Sequence, residues 1–396
     1  MLPLPELIKL MGKQESQEFM ARHMNADVSR LMLKYSNDPP ALALLQQIAA
    51  RQKVKKKLPE WCQEPQVLFP PTVHLEQASS QITARCKAEL VSGRRFTDLT
   101  GGLGVDAYYL SAKFDQSIYN EPQEHLRICA KHNFKILKRT ISVRGLTAEE
   151  LLPKLEIQDV IYLDPSRRNS MSRKVFLLEH CQPRITELRD LLLQKSRAIL
   201  VKVSPMLDLI EAQRLLPGLA EIWIIAVKNE VKEVVLYLSH EMIENPIIQT
   251  FNYHSEKLCQ KFSVPLHYSV KPHYSTPLRY IYEPNAAIMK SGGMNALSEK
   301  FPMYKLAPHS HLYTADDLLK DFPGKVFHLE EIHKPGSKLL QKQNFNIMVR
   351  NFPQKASEIA KQLKIKPAQN RFLIATTLKD NRKVILQTQW LPSLSI

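Results

Sequence analysis

The chain has 396 residues, more than one hydrophobic core usually serves, so we expect about two to four domains. Its 44% hydrophobic and 24% charged residues are ordinary for a globular protein, but its formal net charge of +16 favours a polyanionic partner such as nucleic acid or an anionic membrane surface. No CxxC pair occurs among the five cysteines and no apolar run approaches the roughly 20 residues that span a bilayer, which argues against a zinc ribbon, a disulfide scaffold and a membrane protein. We therefore expect a cytoplasmic protein.

Residues 1–74 predict a helical N-terminal region, because apolar side chains recur at helical spacing, as in Leu7, Leu10 and Met11. A basic cluster occupies residues 51–57. Two interpretations of this cluster stay open. It is either a contact for RNA phosphates or a solvated helix end whose lysines offset the helix dipole.

Residues 75–90 predict a single helix that packs on the sheet that follows, because apolar side chains fall on one of its faces. Three residues of this segment, Gln77, Ser79 and Ser80, are unusually polar for a helix in that position. They are either substrate contacts at the mouth of a pocket or surface residues without a special role.

The segment 95–107 predicts a strand, a tight turn and the start of a helix. Its turn contains an acidic residue, a threonine and three glycines, namely Asp98, Thr100, Gly101, Gly102 and Gly104. Glycines allow a sharp turn and a close approach of the backbone to a ligand, and the helix offers free N–H groups at its positive end. We therefore expect a nucleotide or nucleoside pocket. The spacing fits a dinucleotide and also, with Thr100 replacing a first glycine, S-adenosyl-L-methionine (SAM).

Three later features bear on the choice between these ligands. The next strand candidate ends in Glu121, roughly 20 residues on, where the ribose of either ligand needs an acceptor. The fourth strand candidate ends in Asp164-Pro165 and resembles motif IV of class I SAM-dependent methyltransferases, although Arg167 replaces the usual aromatic residue. Residues 228–232, between the last two strand candidates, are too few for the crossover helix of a dinucleotide-binding domain. The last two features favour SAM.

Strand and helix candidates alternate with the period that is typical of a parallel sheet. Seven strands are predicted, at residues 95–98, 116–121, 141–144, 160–164, 198–203, 222–227 and 233–238. The last two are close enough to form an antiparallel hairpin. The predicted fold class is α/β, with a Rossmann-like seven-stranded methyltransferase sheet, a helical N-terminal region and small C-terminal α+β domains.

Together with residues 201–208, these motifs resemble a bacterial family of class I SAM-dependent methyltransferases that carry a ferredoxin-like module and a C-terminal THUMP-like domain. The resemblance covers most of the chain from about residue 69 onward. It implies SAM as the cofactor. It also implies four parts: a helical region at 1–74, a methyltransferase domain at 75–245, a ferredoxin-like module at 273–318 and a THUMP-like domain at 322–396.

The resemblance further implies the residues of the site. Those expected to bind the cofactor are Asp98, Thr100, Gly101, Gly102, Gly104, Glu121, Thr147 and Asp164. Among them, Glu121 is expected at the ribose hydroxyls and Thr147 near the adenine. Asp164, with Pro165, is expected to be catalytic: it lies beside the transferring methyl and accepts a hydrogen bond from an exocyclic amino group of a base.

Arg167 and Arg168 follow motif IV directly. They are expected to hold a substrate phosphate or to stack on a base, and the alternative is ion pairing at the sheet edge. Carbon methylation of a pyrimidine usually needs a nucleophilic cysteine beside motif IV, and Cys181 is distant along the chain. We therefore expect nitrogen methylation of a purine in rRNA or tRNA. The alternatives are a methyltransferase for a protein or small molecule and a non-catalytic RNA-binding protein that retains a SAM pocket.

The C-terminal block is strongly basic. Its cations are Lys334, Lys338, Lys342, Arg350, Lys355, Lys361, Lys364, Lys366, Arg371, Lys379, Arg382 and Lys383. The resemblance implies RNA binding by this block, although a solvated basic face would have the same composition. No metal is expected, because His309 and His311 alternate without a third ligand and predict a strand face.

Overall fold

The computed structural model describes residues 2–70, 72–167 and 178–392. The chain divides into two units, one formed by residues 1–220 and 233–243 and the other by residues 221–232 and 244–396. The first unit begins with seven helices: α1 (Leu4–Met11), α2 (Gln14–His23), α3 (Val28–Lys34), α4 (Pro39–Val54), α5 (Pro59–Gln63), α6 (Thr72–Gln77) and α7 (Gln81–Glu89).

An alternation of strands and helices follows. Its elements are β1 (Gly93–Asp98), α8 (Val105–Leu110), β2 (Phe114–Asn120), α9 (Glu124–Ile136), β3 (Ser142–Arg144), α10 (Ala148–Leu151), β4 (Gln158–Leu163), β5 (Ser166–Arg167), β6 (Cys181–Gln182), α11 (Ile185–Lys195), β7 (Ser196–Val203), α12 (Leu209–Leu215), β8 (Leu219–Val227) and β9 (Glu230–Ser239). Both the alternation and the helical N-terminal region agree with the sequence-based prediction.

Six of these strands form the sheet of the first unit, in the order β9-β7-β4-β1-β2-β3. All neighbours are parallel except β9, which runs antiparallel to β7. The centre is apolar: Phe96 of β1 pairs in register with Val160 of β4, which pairs with Ala198 of β7. Because parallel strands end at the same edge, the residues that follow β1, β2, β4 and β7 lie close together.

The connection from β8 to β9 consists of Lys228 and Asn229 alone. Both residues have a positive φ, 53° and 61°, which is the conformation of a two-residue type I′ hairpin turn. The absence of a crossover helix here agrees with the prediction of a Rossmann-like methyltransferase sheet. The predicted α/β class with a Rossmann-like sheet is therefore confirmed, and the sixth predicted strand, β8, lies mostly in the second unit.

The polar residues before β1 change the predicted helix. Instead of one helix over residues 75–90, α6 ends at Gln77 and α7 begins at Gln81. Ser80 caps α7, because its Oγ accepts a hydrogen bond from the N–H of Thr83 at 3.2 Å. Ser79 lies in the break with 3% of its surface exposed. The prediction of a continuous helix was wrong because the capping hydrogen bonds of Ser80 outweigh the apolar periodicity.

Two of the five cations in the basic cluster at residues 51–57 have a structural role, whereas Lys53, Lys55 and Lys56 are exposed. Arg51 is 2% exposed, and its Nη2 donates to the carbonyls of Pro65 at 2.8 Å and Val67 at 2.5 Å. Burial lowers the pKa of Arg51 to about 10. Lys57 donates from Nζ to the carbonyls of Leu75 and Glu76. These two cations therefore fit neither of the interpretations drawn from the sequence, since both hold the chain that leads into α7.

The second unit has its own strands and helices: β10 (Ile247–His254), β11 (Lys257–Pro265), β12 (Tyr280–Pro284), α13 (Ala286–Ser291), α14 (Leu297–Lys300), β13 (Tyr304–Lys305), β14 (Tyr313–Ala315), β15 (Gly324–His333), β16 (Asn346–Arg350), α15 (Ala356–Leu363), β17 (Arg371–Thr377) and β18 (Lys383–Trp390). In this unit β10 pairs with β8 in parallel and with β11 antiparallel. The other strands form a seven-stranded sheet in the order β13-β14-β12-β15-β18-β17-β16. The predicted strand face at His309 and His311 was wrong: His309 lies in a turn, and His311 in the connection to β14 with a φ of 53°.

We predict that Arg51→Met lowers the free energy of unfolding by about 2 kcal/mol or more, because it leaves the Pro65 and Val67 carbonyls without their charged donor. For a unit of this size the loss corresponds to a fall of roughly 4–8 °C in Tm. Thermal unfolding followed by circular dichroism measures it. The matched control is Lys55→Met, an exposed position four residues further along; an equal Tm for the two variants would contradict the structural role.

Candidate functional site

The turn after β1 is fixed by hydrogen bonds to its neighbours. Asp98 is buried, and its Oδ1 accepts from the N–H of Thr100 at 2.9 Å. Burial raises the pKa of Asp98 well above its ordinary value, and the Thr100 N–H acts against that shift. The Oγ1 of Thr100 accepts from the N–H of Asp164 at 2.6 Å. The side chain that replaces the usual first glycine therefore ties this turn to the residue after β4.

The three glycines of the turn have different surroundings. A Cβ at Gly101 would lie 2.2 Å from the ring of Tyr119, and one at Gly104, which has a φ of +83°, would lie 2.8 Å from Phe134. Gly102 has a φ of +54°, but a Cβ there would meet only the Thr100 carbonyl, at 3.8 Å. Gly101 and Gly104 are thus required by the packing of the chain on itself, while Gly102 borders open space.

Glu121 holds the turn from the end of β2. Its Oε2 accepts from the N–H of Gly102 at 2.8 Å, and its Oε1 accepts from the N–H of Gln123 at 2.8 Å. Only 5% of the residue is exposed. Because each carboxylate oxygen has two lone pairs, both oxygens keep acceptor capacity for a further donor.

Thr147 lies at the start of α10 and is exposed. Its Oγ1 accepts from the N–H of Glu150 at 3.2 Å, and the Glu150 carboxylate accepts from the Thr147 N–H, which makes a capping box. The preceding Leu146 is held by the buried Asn120, whose amide group bonds both to the N–H and to the carbonyl of Leu146. The role of Asn120 was not predicted from the sequence, although a polar residue at the carboxyl end of a buried strand indicates a residue that fixes the adjacent loops.

Asp164 lies at the carboxyl end of β4 and forms an ion pair with Lys202 of β7. The Asp164 side chain is 35% exposed and that of Lys202 only 10%. Lys202 also donates from Nζ to Ser79 Oγ at 3.3 Å. Lys202 belongs to the segment 201–208 that carries the family resemblance, but no role was predicted for it. A lysine inside the apolar run 198–203 of β7 is the signal that marks it.

A second ion-paired group lies behind this pair. Lys87 of α7 is fully buried, and its Nζ contacts Asp106 Oδ1 at 2.8 Å as well as the carboxylate of Glu233. Ser79 donates to Asp106 Oδ2 at 2.7 Å and accepts from Lys87 at 3.0 Å. Since Ser79 also accepts from Lys202, it connects the two ion pairs. Of the polar residues at 77–80, Ser79 is therefore the one that contacts these charged side chains.

The charged side chains of this group stabilise one another in their ionised forms. Burial lowers the pKa of Lys202, but the carboxylates of Asp164, Glu233 and Asp106 together raise it above its ordinary value. Burial raises the pKa of Asp106, but the ammonium groups of Lys87 and Lys202 bring it down to about 2. Both lysines therefore stay protonated and Asp106 stays ionised at neutral pH.

The remaining predicted residues follow β4. Pro165 is buried, and β5 pairs antiparallel with β6, with Arg167 opposite Cys181. Arg168 lies outside the described residues. The β5–β6 ladder shows that Cys181, although distant along the chain, is close in space to motif IV. The sequence separation of Cys181 therefore does not argue against carbon methylation.

Comparisons with known proteins agree with the architecture. Residues 280–323 match the family described as a ferredoxin-like domain, and residues 324–389 match the family described as THUMP domain-like. Over nearly its whole length the chain is similar to the crystal structure of a presumed methyltransferase from Porphyromonas gingivalis W83. Identity is 29%, the TM-score is 0.86, and the alignment covers 98% of this chain and 99% of that chain. The resemblance drawn from the motifs is thereby confirmed.

Two more distant solved structures are a Thermus thermophilus 16S rRNA N2 G1207 methyltransferase (RsmC) in complex with AdoMet and guanosine, and SMU.1697c, a presumed methyltransferase from Streptococcus mutans in complex with SAH. The first shares 15% identity over 44% of each chain with a TM-score of 0.32. The second shares 13% identity over 43% of this chain and 99% of that chain, with a TM-score of 0.30. Both TM-scores are below 0.5. No curated protein matches the chain.

Two further properties concern only the part of the chain that the structure describes. Within it, no helix combines the length and the apolar character that crossing a membrane requires. The same residues include no group of three His, Cys, Asp or Glu side chains placed to hold a metal ion.

We predict that the destabilisation caused by Asp106→Asn depends on pH. Because the folded-state pKa of about 2 lies below the ordinary 3.8, Asp106 contributes stability above pH 3.8 that is lost as the pH falls through 2. The difference corresponds to about 2 kcal/mol. Urea unfolding between pH 6 and pH 2 should therefore show the gap between the wild type and Asp106→Asn shrink by that amount. A gap for Asp106→Asn that stays constant over this pH range would contradict the charge assignment.

Proposed function

We propose that this chain, a member of the bacterial methyltransferase family that carries ferredoxin-like and THUMP-like domains, transfers a methyl group from SAM to RNA. The observation that carries the proposal is the hydrogen bond from the Asp164 N–H to Thr100 Oγ1 at 2.6 Å. It means that the acidic residue after β4 lies directly beside the glycine turn. Methyl transfer requires an acceptor in line with the methyl group, so the main task of the protein is to position two reactants side by side.

The turn has the properties that a SAM site needs. When bound, SAM supplies a methyl group on a cationic sulfonium. The open space beside Gly102 allows the ligand to approach the backbone, and the buried Asp98 places a carboxyl group beneath the turn. The unused lone pairs of Glu121 can accept from the ribose hydroxyls. Thr147 is exposed at the start of α10, beside the backbone of Leu146, where we place the adenine.

RNA is the acceptor that the charge of the chain favours. The net charge is +16, and many of the cations lie in the part that matches the THUMP-like family. Of the basic residues predicted to contact RNA there, Arg350 is partly buried and pairs with Glu283, while the others are exposed. Exposed lysines attract the phosphate backbone without regard to sequence. Arg167 and Arg168, next to motif IV, are proposed to hold the substrate near the methyl group.

A base nitrogen in rRNA or tRNA is the acceptor that the sequence predicts. That prediction depends on an Asp164 carboxylate that is free to accept from an amino group, and on the absence of a cysteine near motif IV. In the structure Asp164 is ion-paired with Lys202, and Cys181 lies opposite Arg167. The choice of acceptor atom therefore depends on the charges that surround Asp164.

We predict that calorimetry detects SAM binding and no binding of NAD(H). Gly102→Ala should fold but weaken SAM at least tenfold, because its Cβ enters the open space at a strained φ. Gly101→Ala should instead lose stability, about 1–3 kcal/mol, because its Cβ overlaps the Tyr119 ring. Absence of SAM binding by the wild type would remove the enzymatic proposal and leave a basic RNA-binding protein.

We predict that the protein transfers label from [methyl-³H]SAM to RNA from cells that lack it, and not to protein from the same cells. Lys361→Glu combined with Lys366→Glu, two exposed residues of the THUMP-like domain, should weaken RNA binding at low salt and leave SAM affinity unchanged. The matched control is Lys9→Glu with Lys13→Glu in the N-terminal region, at exposed positions. Labelling of protein or small molecules instead of RNA would identify a different substrate class.

A further inference from the structure

We propose that the acceptor is a hydroxyl group, the 2′-hydroxyl of a ribose in RNA, and that Asp164 and Lys202 together bind it. The inference rests on the proposed function and names the atom that receives the methyl group. It comes from the ion pair at the ends of β4 and β7 and from the buried charges behind it.

The contacts of the charged side chains separate them into two layers. Asp164, which is 35% exposed, forms the front layer together with its ion-pair partner Lys202. Lys87 pairs instead with Asp106 and Glu233, all three are less than 10% exposed, and they form the rear layer. The front layer is also the one that touches the turn proposed for SAM, through the bond between Asp164 and Thr100. An acceptor that reaches the methyl group must therefore meet one carboxylate and one ammonium.

The hydrogen-bonding capacity of the acceptor has to match this pair. A lysine ammonium only donates and a carboxylate only accepts. An amino group of a base has two N–H donors, so it needs two acceptors, and an ammonium beside it would compete for the lone pair that must face the methyl group. A hydroxyl has one donor and two lone pairs. It can donate to Asp164, accept from Lys202 and keep one lone pair for the methyl carbon.

The charges suit the reaction of an alcohol. As the bond forms between the oxygen and the methyl carbon, the carbon–sulfur bond breaks and its electron pair stays on sulfur, which becomes the neutral thioether of S-adenosylhomocysteine. The hydroxyl proton passes to the Asp164 carboxylate, which is exposed enough to return it to water. Lys202 stabilises the negative charge that develops on the oxygen, since a fixed ammonium in a buried site is effective at this task.

Glu233 and Asp106 of the rear layer act together with Asp164 to keep Lys202 in its charged form. Lys87, Asp106 and Glu233 do not reach the substrate layer, so they are positioning residues. Ser79 accepts from both lysines and thereby links the two layers. Without the three carboxylates, burial would favour the neutral form of Lys202, which could not stabilise an alkoxide.

The test is alkaline hydrolysis of RNA labelled by the wild-type protein with [methyl-³H]SAM. A 2′-O-methyl group blocks the attack of the 2′-oxygen on the next phosphate, so the label should remain in alkali-stable dinucleotides. Label in mononucleotides would mean a methylated base and would overturn this inference while leaving the proposed function intact. SAM binding without any labelling of RNA would overturn both, and so would the absence of SAM binding.

Variants test the two residues separately. Lys202→Met and Asp164→Asn should each lower the rate of transfer at least 100-fold while the Kd for SAM stays within about fivefold. Lys202→Arg keeps the charge and should retain more activity than Lys202→Met, which also covers the case in which Lys202→Met does not fold. The matched control is Lys113→Met at an exposed position, which should be fully active. Equal activity of Lys202→Met and the wild type would overturn the assignment.

Discussion

Mutual neutralisation of buried charges is the constraint on which the methyltransferase unit depends. An isolated ammonium or carboxylate in a protein interior is strongly destabilising. Removal of one partner from a buried ion pair therefore typically lowers the free energy of unfolding by about 3–5 kcal/mol. Lys87 and Lys202 are inside the unit only because Asp106, Asp164 and Glu233 are there with them. The five side chains come from different parts of the chain, so this group joins the helix before the sheet to the ends of its strands.

The three glycines of the turn after β1 have two different roles. Two of its glycines are needed because the rings of Tyr119 and Phe134 fill the space that a Cβ would take, and only Gly102 faces an open volume. The glycines of such a motif can therefore be required by the packing of the protein as well as by the binding of a ligand. Thr100, which replaces the first glycine of the SAM pattern, stabilises the turn, since its hydroxyl accepts a hydrogen bond from the backbone N–H of Asp164.

Much of the fold could be predicted from the sequence, because it is encoded locally. The alternation of apolar strands and amphipathic helices, the turn after Asp98, Asp164 after β4 and the short link between β8 and β9 all have signals within a few residues. The missed features are long-range. Nothing near Lys87, Asp106 or Glu233 indicates that they meet, and the partner of Arg51 is a set of backbone carbonyls more than ten residues away. The antiparallel pairing of Arg167 with Cys181 is likewise invisible in the sequence spacing.

The contacts of Glu233 have a consequence for biogenesis. Its carboxylate joins Thr83 and Lys87 across separations of 150 and 146 residues. Contacts of such high sequence separation form late, because closing a long loop must precede them. On a ribosome, the residues of α7 and the glycine turn emerge well before β9 is synthesised. A nascent or truncated chain that ends before β9 therefore lacks the Glu233 carboxylate that pairs with the buried Lys87. The buried charges of the first unit are balanced only after β9 has been made.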